Sequence, residues 1–325
     1  MRGKQMLKYM IKRILLLIPV LLGISLLIFT IMQLAPGNPA REILGENASQ
    51  EAVDKLAEEM GLNDPFFVQY GRYIKNALHG DFGTSYKNRQ PVVTLIRQRY
   101  PTTIKLAFGS IALAILIGVP LGILSAVKQY SVFDNVATFF AMILTSMPAF
   151  WYGLMLMILF SLKMKLLPAA AAGATTVKHF ILPWMTLCGT TLALLLRMTR
   201  STMLEVIRQD YIRTARAKGS EEGRVIVRHA LRNTLLPIVT VIGTQLSVQL
   251  GGSIVVENVF SLNGIGTMLI DGIKNGDAPI VMGGVMFIAV VGGIINLLVD
   301  LLYTYIDPRL KSQFVSAKKR KGVAK

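Results

Sequence analysis

Six apolar runs set the limits on this chain: 14–34, 104–127, 136–162, 180–198, 235–256 and 280–306. Each approaches or exceeds the roughly 20 residues that a helix needs to cross the hydrocarbon core of a bilayer. Inside hydrocarbon every peptide N–H and C=O needs a partner within the protein, so a spanning segment is a helix or part of a closed barrel. The runs are continuous rather than alternating apolar and polar, which selects helices. A soluble domain of 325 residues has no use for so many uninterrupted runs, and 53% hydrophobic against 16% charged residues agrees with that. The expected fold is an all-α polytopic membrane protein with about six transmembrane helices. Pro19, Pro120, Pro148 and Pro183 fall inside or at the ends of runs, where neighbouring helices can satisfy the carbonyls a proline frees.

An even number of spans places both termini on one side, and the basic residues indicate which. Arg2, Lys4, Lys8, Lys12 and Arg13 precede the first run, and Lys128 sits in the turn after the second. Further Lys and Arg gather between Arg197 and Arg232 and from Arg309 to Lys325, so this side holds about 22 of the 35 in the chain. The positive-inside rule makes it cytoplasmic. The plan is a cytoplasmic N-terminus and first span (1–34), a large extracytoplasmic loop (35–103), and a core of spans two to six (104–306). The core carries a cytoplasmic loop at 199–234, and a basic tail (307–325) follows. The first run outlasts the 7–15 apolar residues of a secretory signal, and no small-residue cleavage pattern follows closely, so it is expected to remain as a span. Cys188 is the one cysteine. It reads as a small packing residue and excludes a disulfide framework or Cys-rich metal site in this chain.

The outer loop has the marks of its own helices. "NASQEAVDKLAEEMG" carries Asn47 as an N-cap, Gln50 three residues later and Gly61 at the C-terminal end. "NDPFFVQYGRYIKNALHG" has Pro65 near its first turn and Gly80 after its last. Its Phe66, Phe67, Tyr70, Tyr73, Ile74 and Leu78 form one stripe, expected to pack on the spans or headgroups, with a docking platform for an external partner as the alternative. "PVVTLIRQRYP" (91–101) resembles a short interfacial helix leading into the second span.

Chemistry-bearing motifs are sparse. "GIG" in the second external loop (257–279) is too short to cradle a nucleotide, and no stretch fits G-x-x-x-x-G-K-[ST]. His79, His179 and His229 are scattered and there is no H-E-x-x-H, so neither a catalytic residue nor a metal site is expected. A self-sufficient ion-driven transporter would want paired carboxylates or broken half-helices at mid-membrane, often in two repeated halves. Asp300 is the clear carboxylate within a span, read as pairing with a local Arg or reaching water, and no internal repeat is visible. A nucleophile–base pair for an intramembrane hydrolase is also lacking.

The cytoplasmic stretch "QDYIRTARAKGSEEGRVIVRHALRNTLLP" (209–237) is too long and too helix-favouring for a plain connection. It reads as a helix, a stop at Gly219, and a second helix with Ser220 as N-cap, Glu221 and Glu222 at its positive end, and Arg228 and Arg232 toward the other. Two uses fit: a cationic belt on anionic headgroups, or a small-residue helix that enters a groove on a soluble partner.

"DYIRTARAKG" followed by "RHALRNTLLP" resembles the cytoplasmic loop of permease subunits of ABC importers of the dipeptide/oligopeptide/nickel branch. So do "LAPGNPA" (34–40), "HGDFGTSY" (79–86), "YPTTIKLA" (100–107), "SMPAFWYGL" (146–154), "GGSIVVENVFSLNGIG" (251–266) and "YIDPRL" (305–310), in order and spacing over essentially the whole chain. The resemblance implies that Arg213, Thr214, Ala215, Ala217, Gly219 and Ser220, with the helix that follows, dock into a cleft of a cytoplasmic ATPase. In the broader superfamily this loop opens Glu-Ala-Ala with a Gly four positions after the second Ala. The aligned residues here are Arg213, Thr214, Ala215 and Gly219, so the Glu is missing, while Ala215 and Gly219 carry over as positions of close helix approach. The implied partners are a similar second permease, two ATPases that bind ATP and Mg, an external solute-binding protein and membrane lipid. No cofactor in this chain and no nucleic acid are implied. The implied location is a bacterial or archaeal cell (inner) membrane, and the implied cargo is di- or oligopeptides, with nickel chelates or glutathione as alternatives.

For the path itself, Met147, Phe150 and Trp151 beside Pro148, and Gln245 and Gln249 in the fifth span, are the candidates, with Ser247, Glu257 and Asn258 nearby. Polar groups within spans usually face the bundle interior or a wet cavity; ordinary helix–helix hydrogen bonding is the competing use. "GVPLG" (118–122) has the G-x-x-x-G spacing of close helix packing.

Overall fold

The computed structural model describes residues 2–35, 37–170, 176–251 and 253–306, with side chains for those between 10 and 302. The basic tail expected at 307–325 lies outside the described residues. The helices are α1 (Arg2–Leu34), α2 (Pro39–Leu44), α3 (Gln50–Glu59), α4 (Phe66–Leu78), α5 (Val92–Val127), α6 (Val132–Ser146) and α7 (Ala149–Met157). They continue with α8 (Val177–Ile207), α9 (Asp210–Ala217), α10 (Glu222–Arg224), α11 (Leu231–Leu250), α12 (Ile254–Val259), α13 (Ile265–Lys274) and α14 (Ala278–Ile306). Wider turns extend α7 through Lys163 and join α10 to α11 through Val225–Ala230. Among the described residues an isolated bridge, Thr84 to Pro91, is the only extended pairing.

Among the described residues, five helices are long and apolar enough to cross a membrane, and a sixth crossing requires α6 and α7 to count as one. These two are bent by 106°, so the run expected as one span at 136–162 is broken at Met147–Pro148. The cause is local. Pro148 has no N–H to give, and it pushes Met147 out of helical geometry to φ −81°, ψ 132°. Other boundaries move as well. The short interfacial helix expected at 91–101 is the first part of α5, which runs through Pro101 without a break. The fourth span continues to Ile207, past residue 198. The fifth begins at Glu222 and stops at Leu250, so the second helix of the 199–234 loop and the fifth span are one continuous rod.

The chain divides into two compact units, which draw on Met1–Lys105, Ala170–Thr175 and Leu250–Gly293, and on Leu106–Ala169, Thr176–Gln249 and Ile294–Lys325. In the first unit, Phe29 of α1 is ringed by Phe66, Tyr70 and Tyr73 of α4, with ring centroids 5.3–5.9 Å apart. The α4 stripe therefore packs on a span as expected, although Phe67 and Leu78 stay exposed. A small core of Ala40, Val53 and Ala57 joins α2 to α3. The N-cap of α3 is Ser49, which accepts from the Ala52 N–H, rather than Asn47. Val92, Leu95 and Ile96 of α5 pack with Ile265, Met268 and Leu269 of α13 and with Ile280. Asp277, just before α14, accepts from the Ser85 hydroxyl at 2.6 Å and the Ile280 N–H at 3.4 Å, tying the loop before α5 to the start of α14.

In the second unit, α5 lies close against α8. A Cβ on Gly118 would stand 2.9 Å from the Leu192 carbonyl oxygen, and one on Gly122 would stand 2.7 Å from that of Leu196. "GVPLG" is thus a helix-packing element.

Candidate functional site

The cytoplasmic segment is built from a short helix with two very different faces. Gln209 enters α9 in extended geometry, and Asp210 places a carboxylate in the first turn, where the helix dipole favours it. Ile212 is 0% exposed and sits in a core with Ala126 of α5, Met203 of α8, Val225 and Ala230. Ala215 packs against the same core. On the other side the Arg213 and Asp210 side chains are 75% and 98% exposed, and Thr214, Ala217 and Gly219 are exposed too. Asn233 donates to the Tyr211 hydroxyl at 2.8 Å, a polar fastener between α9 and α11.

The end of α9 explains Gly219. Its N–H donates to the Arg216 carbonyl at 2.9 Å, and the Ser220 N–H donates to the Ala215 carbonyl at 3.2 Å. That pair of bonds is a Schellman turn, which needs a left-handed residue between them. Gly219 supplies it at φ +77°, and a Cβ there would meet nothing within 4 Å. Within this chain, then, Gly219 is required for its backbone angle and not for close approach. Arg216 closes the turn outside by donating to both Glu222 oxygens, at 3.0 and 2.6 Å. The following helix takes Glu221, not Ser220, as its N-cap, because Ser220 belongs to the Schellman turn.

Of the residues expected along a path, Met147, Phe150 and Trp151 come together. With Phe139, Met142 and Ile143 they line a groove of about 600 Å³ at the α6–α7 elbow. Its walls are mainly methionine, isoleucine and aromatic side chains, an adaptable apolar surface. Gln245 is half-buried on α11. Gln249 is 5% exposed, with its oxygen accepting from the Ser110 hydroxyl and its amide donating to Thr191 at 3.2 Å. It joins α5, α8 and α11 as an interhelical bond.

Glu257 is 0% exposed. Its carboxylate accepts from the Thr103 hydroxyl at 2.7 Å and the Thr267 N–H at 3.1 Å, and so satisfies the start of α13 from another element. Burial raises its pKa above the usual carboxylate value. Hydrogen bonds from Thr103, Thr267 and Gly266 and the field of Arg99 pull the other way without cancelling it. A second carboxylate, Asp134, is clamped by Arg200. The sequence pattern does not single out Asp134, and it places Glu257 among residues near the candidate path. The available signal was the pair of glycines at 264 and 266, spaced to admit something at a helix start. Among the described residues, no group of three or more His, Cys, Asp or Glu is placed to hold a metal ion.

Among the described residues, five hydrophobic helices, or six crossings if α6 and α7 count as one, define a multi-pass membrane protein, with α9 packed against α5 and α8. Residues 118–312 match the family described as binding-protein-dependent transport system inner membrane component, and residues 6–107 match its N-terminal counterpart. The chain belongs to this family. It is 44% identical to the dipeptide transport system permease protein DppB of Alkalihalophilus pseudofirmus, covering 94% of this chain and 100% of that one. It is 41% identical to the oligopeptide transport system permease protein AppB of Bacillus subtilis (93% and 99%). It is 40% identical to the glutathione transport system permease protein GsiC of Salmonella paratyphi A (94% and 99%). Among solved structures, a chain of the MetNI methionine ABC transporter in an inward-facing conformation aligns with TM-score 0.54 at 17% identity. That alignment covers 66% of this chain and 97% of that chain, and it supports the fold. The chain is thus a permease subunit of an ABC importer; it is not itself an enzyme, and ATP hydrolysis lies in partner subunits.

Proposed function

We propose that this permease passes di- or oligopeptides across the cell membrane, taking them from an external solute-binding protein and moving them as ATP-driven partners rock its helices. The segment from Arg213 to Ser220 docks into a cytoplasmic ATPase, a similar second permease completes the path, and ATP and Mg bind to the two ATPases. Both termini and α9 lie in the cytoplasm, and the loop carrying α2–α4 lies outside. The peptide cargo is supported by relatives named for dipeptide, oligopeptide and glutathione transport.

One observation carries the docking reading. An amphipathic helix that rests on headgroups puts its apolar face into lipid. In α9 that face, Ile212 and Ala215, is turned into the protein, and what remains outside is chiefly polar, with Asp210, Arg213 and Thr214 exposed. A photo-cross-linker at Arg213 or Ala217 should capture a nucleotide-hydrolysing protein in native membranes. Capture of phospholipid alone would refute docking. Mass spectrometry of the ligand carried by the cognate binding protein, followed by uptake of that ligand into vesicles, tests the peptide assignment.

A further inference from the structure

Asp134 opens α6 and is 1% exposed. Arg200 of α8 grips it with both arms of its guanidinium, Nε to Oδ1 at 2.6 Å and Nη2 to Oδ2 at 2.7 Å. The same carboxylate accepts from the Tyr130 N–H at 2.9 Å, holding Tyr130 at φ +61°, while Ser131 accepts from the Asp134 N–H at 3.2 Å. The α5–α6 turn is also tied to α8 lower down, where Arg208 donates to Gln129 at 3.3 Å. One helical turn beyond Arg200, Met203 enters the core that holds Ile212 of α9. In the opposite direction α6 runs unbroken to the elbow at Met147–Pro148.

Asp134 is buried while the Arg200 side chain is 25% exposed, and an ion pair so placed is a poor way merely to glue helices, since desolvating the carboxylate offsets much of its attraction. What a two-armed guanidinium adds is registry, because it fixes both rotation and slide of one helix against the other. We propose that Asp134 and Arg200 are positioning residues for transport: their pairing makes α6 move with α8 and α9, so that displacement of α9 reaches the α6–α7 elbow and its groove. This rests on α9 being the segment that the ATPase moves.

The test uses the complete transporter reconstituted in vesicles, with uptake and ATP hydrolysis measured together. Asp134→Asn combined with Arg200→Leu removes both charges and keeps an acceptor for Tyr130. Arg200→Lys keeps the charge and loses the fork. Both should assemble and hydrolyse ATP in response to loaded binding protein, while peptide moved per ATP falls about tenfold in the first, a typical effect for disrupted coupling, and by less in the second. An unchanged ratio in both, or a loss of uptake and hydrolysis in equal proportion, overturns the proposal. Gly219→Val run in parallel separates the two layers. Should it leave both activities untouched, the docking reading fails and takes this proposal with it; should it impair them while the Asp134 and Arg200 variants keep the normal ratio, only the registry role fails.

Discussion

The Thr103 hydroxyl donates to the Glu257 carboxylate at 2.7 Å and in the same position accepts from the Ile265 N–H at 3.0 Å. Glu257 therefore sits in a shell made wholly of donors: a threonine relayed onto α13 and the first amides of α13 itself. Such a shell suits an ionised carboxylate, whereas burial suits the neutral acid.

Burial wins, so the folded-state pKa lies above that of the unfolded chain. The sign follows from linkage: the unfolded chain releases this proton at lower pH than the folded one, so raising the pH favours unfolding. The stabilisation is complete below the ordinary glutamate pKa and is lost as pH climbs from there through the raised folded value. Thermal unfolding of the purified complex should show a Tm that falls over this window. Glu257→Gln should remove the Glu257 contribution to that slope, whatever its constant offset in Tm. Glu257→Ala should lower stability at every pH by about 1–3 kcal/mol for each donor left unpaired.

Two glycines make room for this carboxylate. A Cβ on Gly264 would collide with the Glu257 carboxyl, and one on Gly266 would come within 2.7 Å of the Ile254 Cα and 2.9 Å of Glu257 Oε2. Gly264→Ala should therefore be strongly destabilising in the natural background and milder beside Glu257→Ala, with a coupling of at least about 1 kcal/mol. Gly266→Ala should stay costly in both backgrounds, since backbone at Ile254 cannot yield as a side chain can. Denaturation in detergent of the three single variants and the two double variants, beside the natural protein, gives both cycles.

Apolar runs revealed the helices because lipid enforces one rule on every spanning segment. The two-faced character of α9 was foreseeable in part, from Ile212 and Ala215 among basic residues. Breaks were less legible. Pro101, Pro120 and Pro183 lie within continuous helices while Pro148 ends one, and the local letters do not say which carbonyls find other partners. Long-range pairs were hidden for a different reason. Asp134 and Arg200 are 66 positions apart, Thr103 and Glu257 are 154 apart, and each side chain alone looks like an ordinary boundary residue. The same holds for Gln249, whose partners on α5 and α8 turn a candidate wall residue into a strut.

The close contact of α5 with α8 can be tested at Gly118 and Gly122, where the nearest obstacles are the backbone carbonyl oxygens of Leu192 and Leu196, joined at Gly122 by the Thr199 side chain. Gly118→Val or Gly122→Val must separate two helices or distort them, at about 1–3 kcal/mol or more. Gly109 is different, since its missing Cβ is replaced by the Trp184 indole. Gly109→Ala should be partly rescued by Trp184→Leu, but no single side-chain truncation on α8 should rescue Gly118→Val. Yield and Tm of the assembled complex report the difference.

Gly219 offers the sharpest division between a backbone requirement and a contact requirement. Its φ of +77° lies where Asn is tolerated far better than branched residues, and the space beside it is open within this chain. If the Schellman turn is all that matters, Gly219→Asn should keep substrate-stimulated ATP hydrolysis near normal. Gly219→Ala should cost about 1 kcal/mol and loosen the end of α9, and Gly219→Val should do so more severely. Hydrogen exchange across 210–220 reads the loosening directly. If instead the ATPase presses against this position, Asn, Ala and Val should all abolish stimulation, while hydrogen exchange in the isolated permease shows α9 intact with Asn. The exposed Arg216–Glu222 pair supplies a control on the same turn. Glu222→Gln removes an interaction worth at most about 1 kcal/mol and weakened by salt, so it should shift exchange slightly at low ionic strength and hardly at all in 0.5 M salt, about where screening has shortened to a few ångströms.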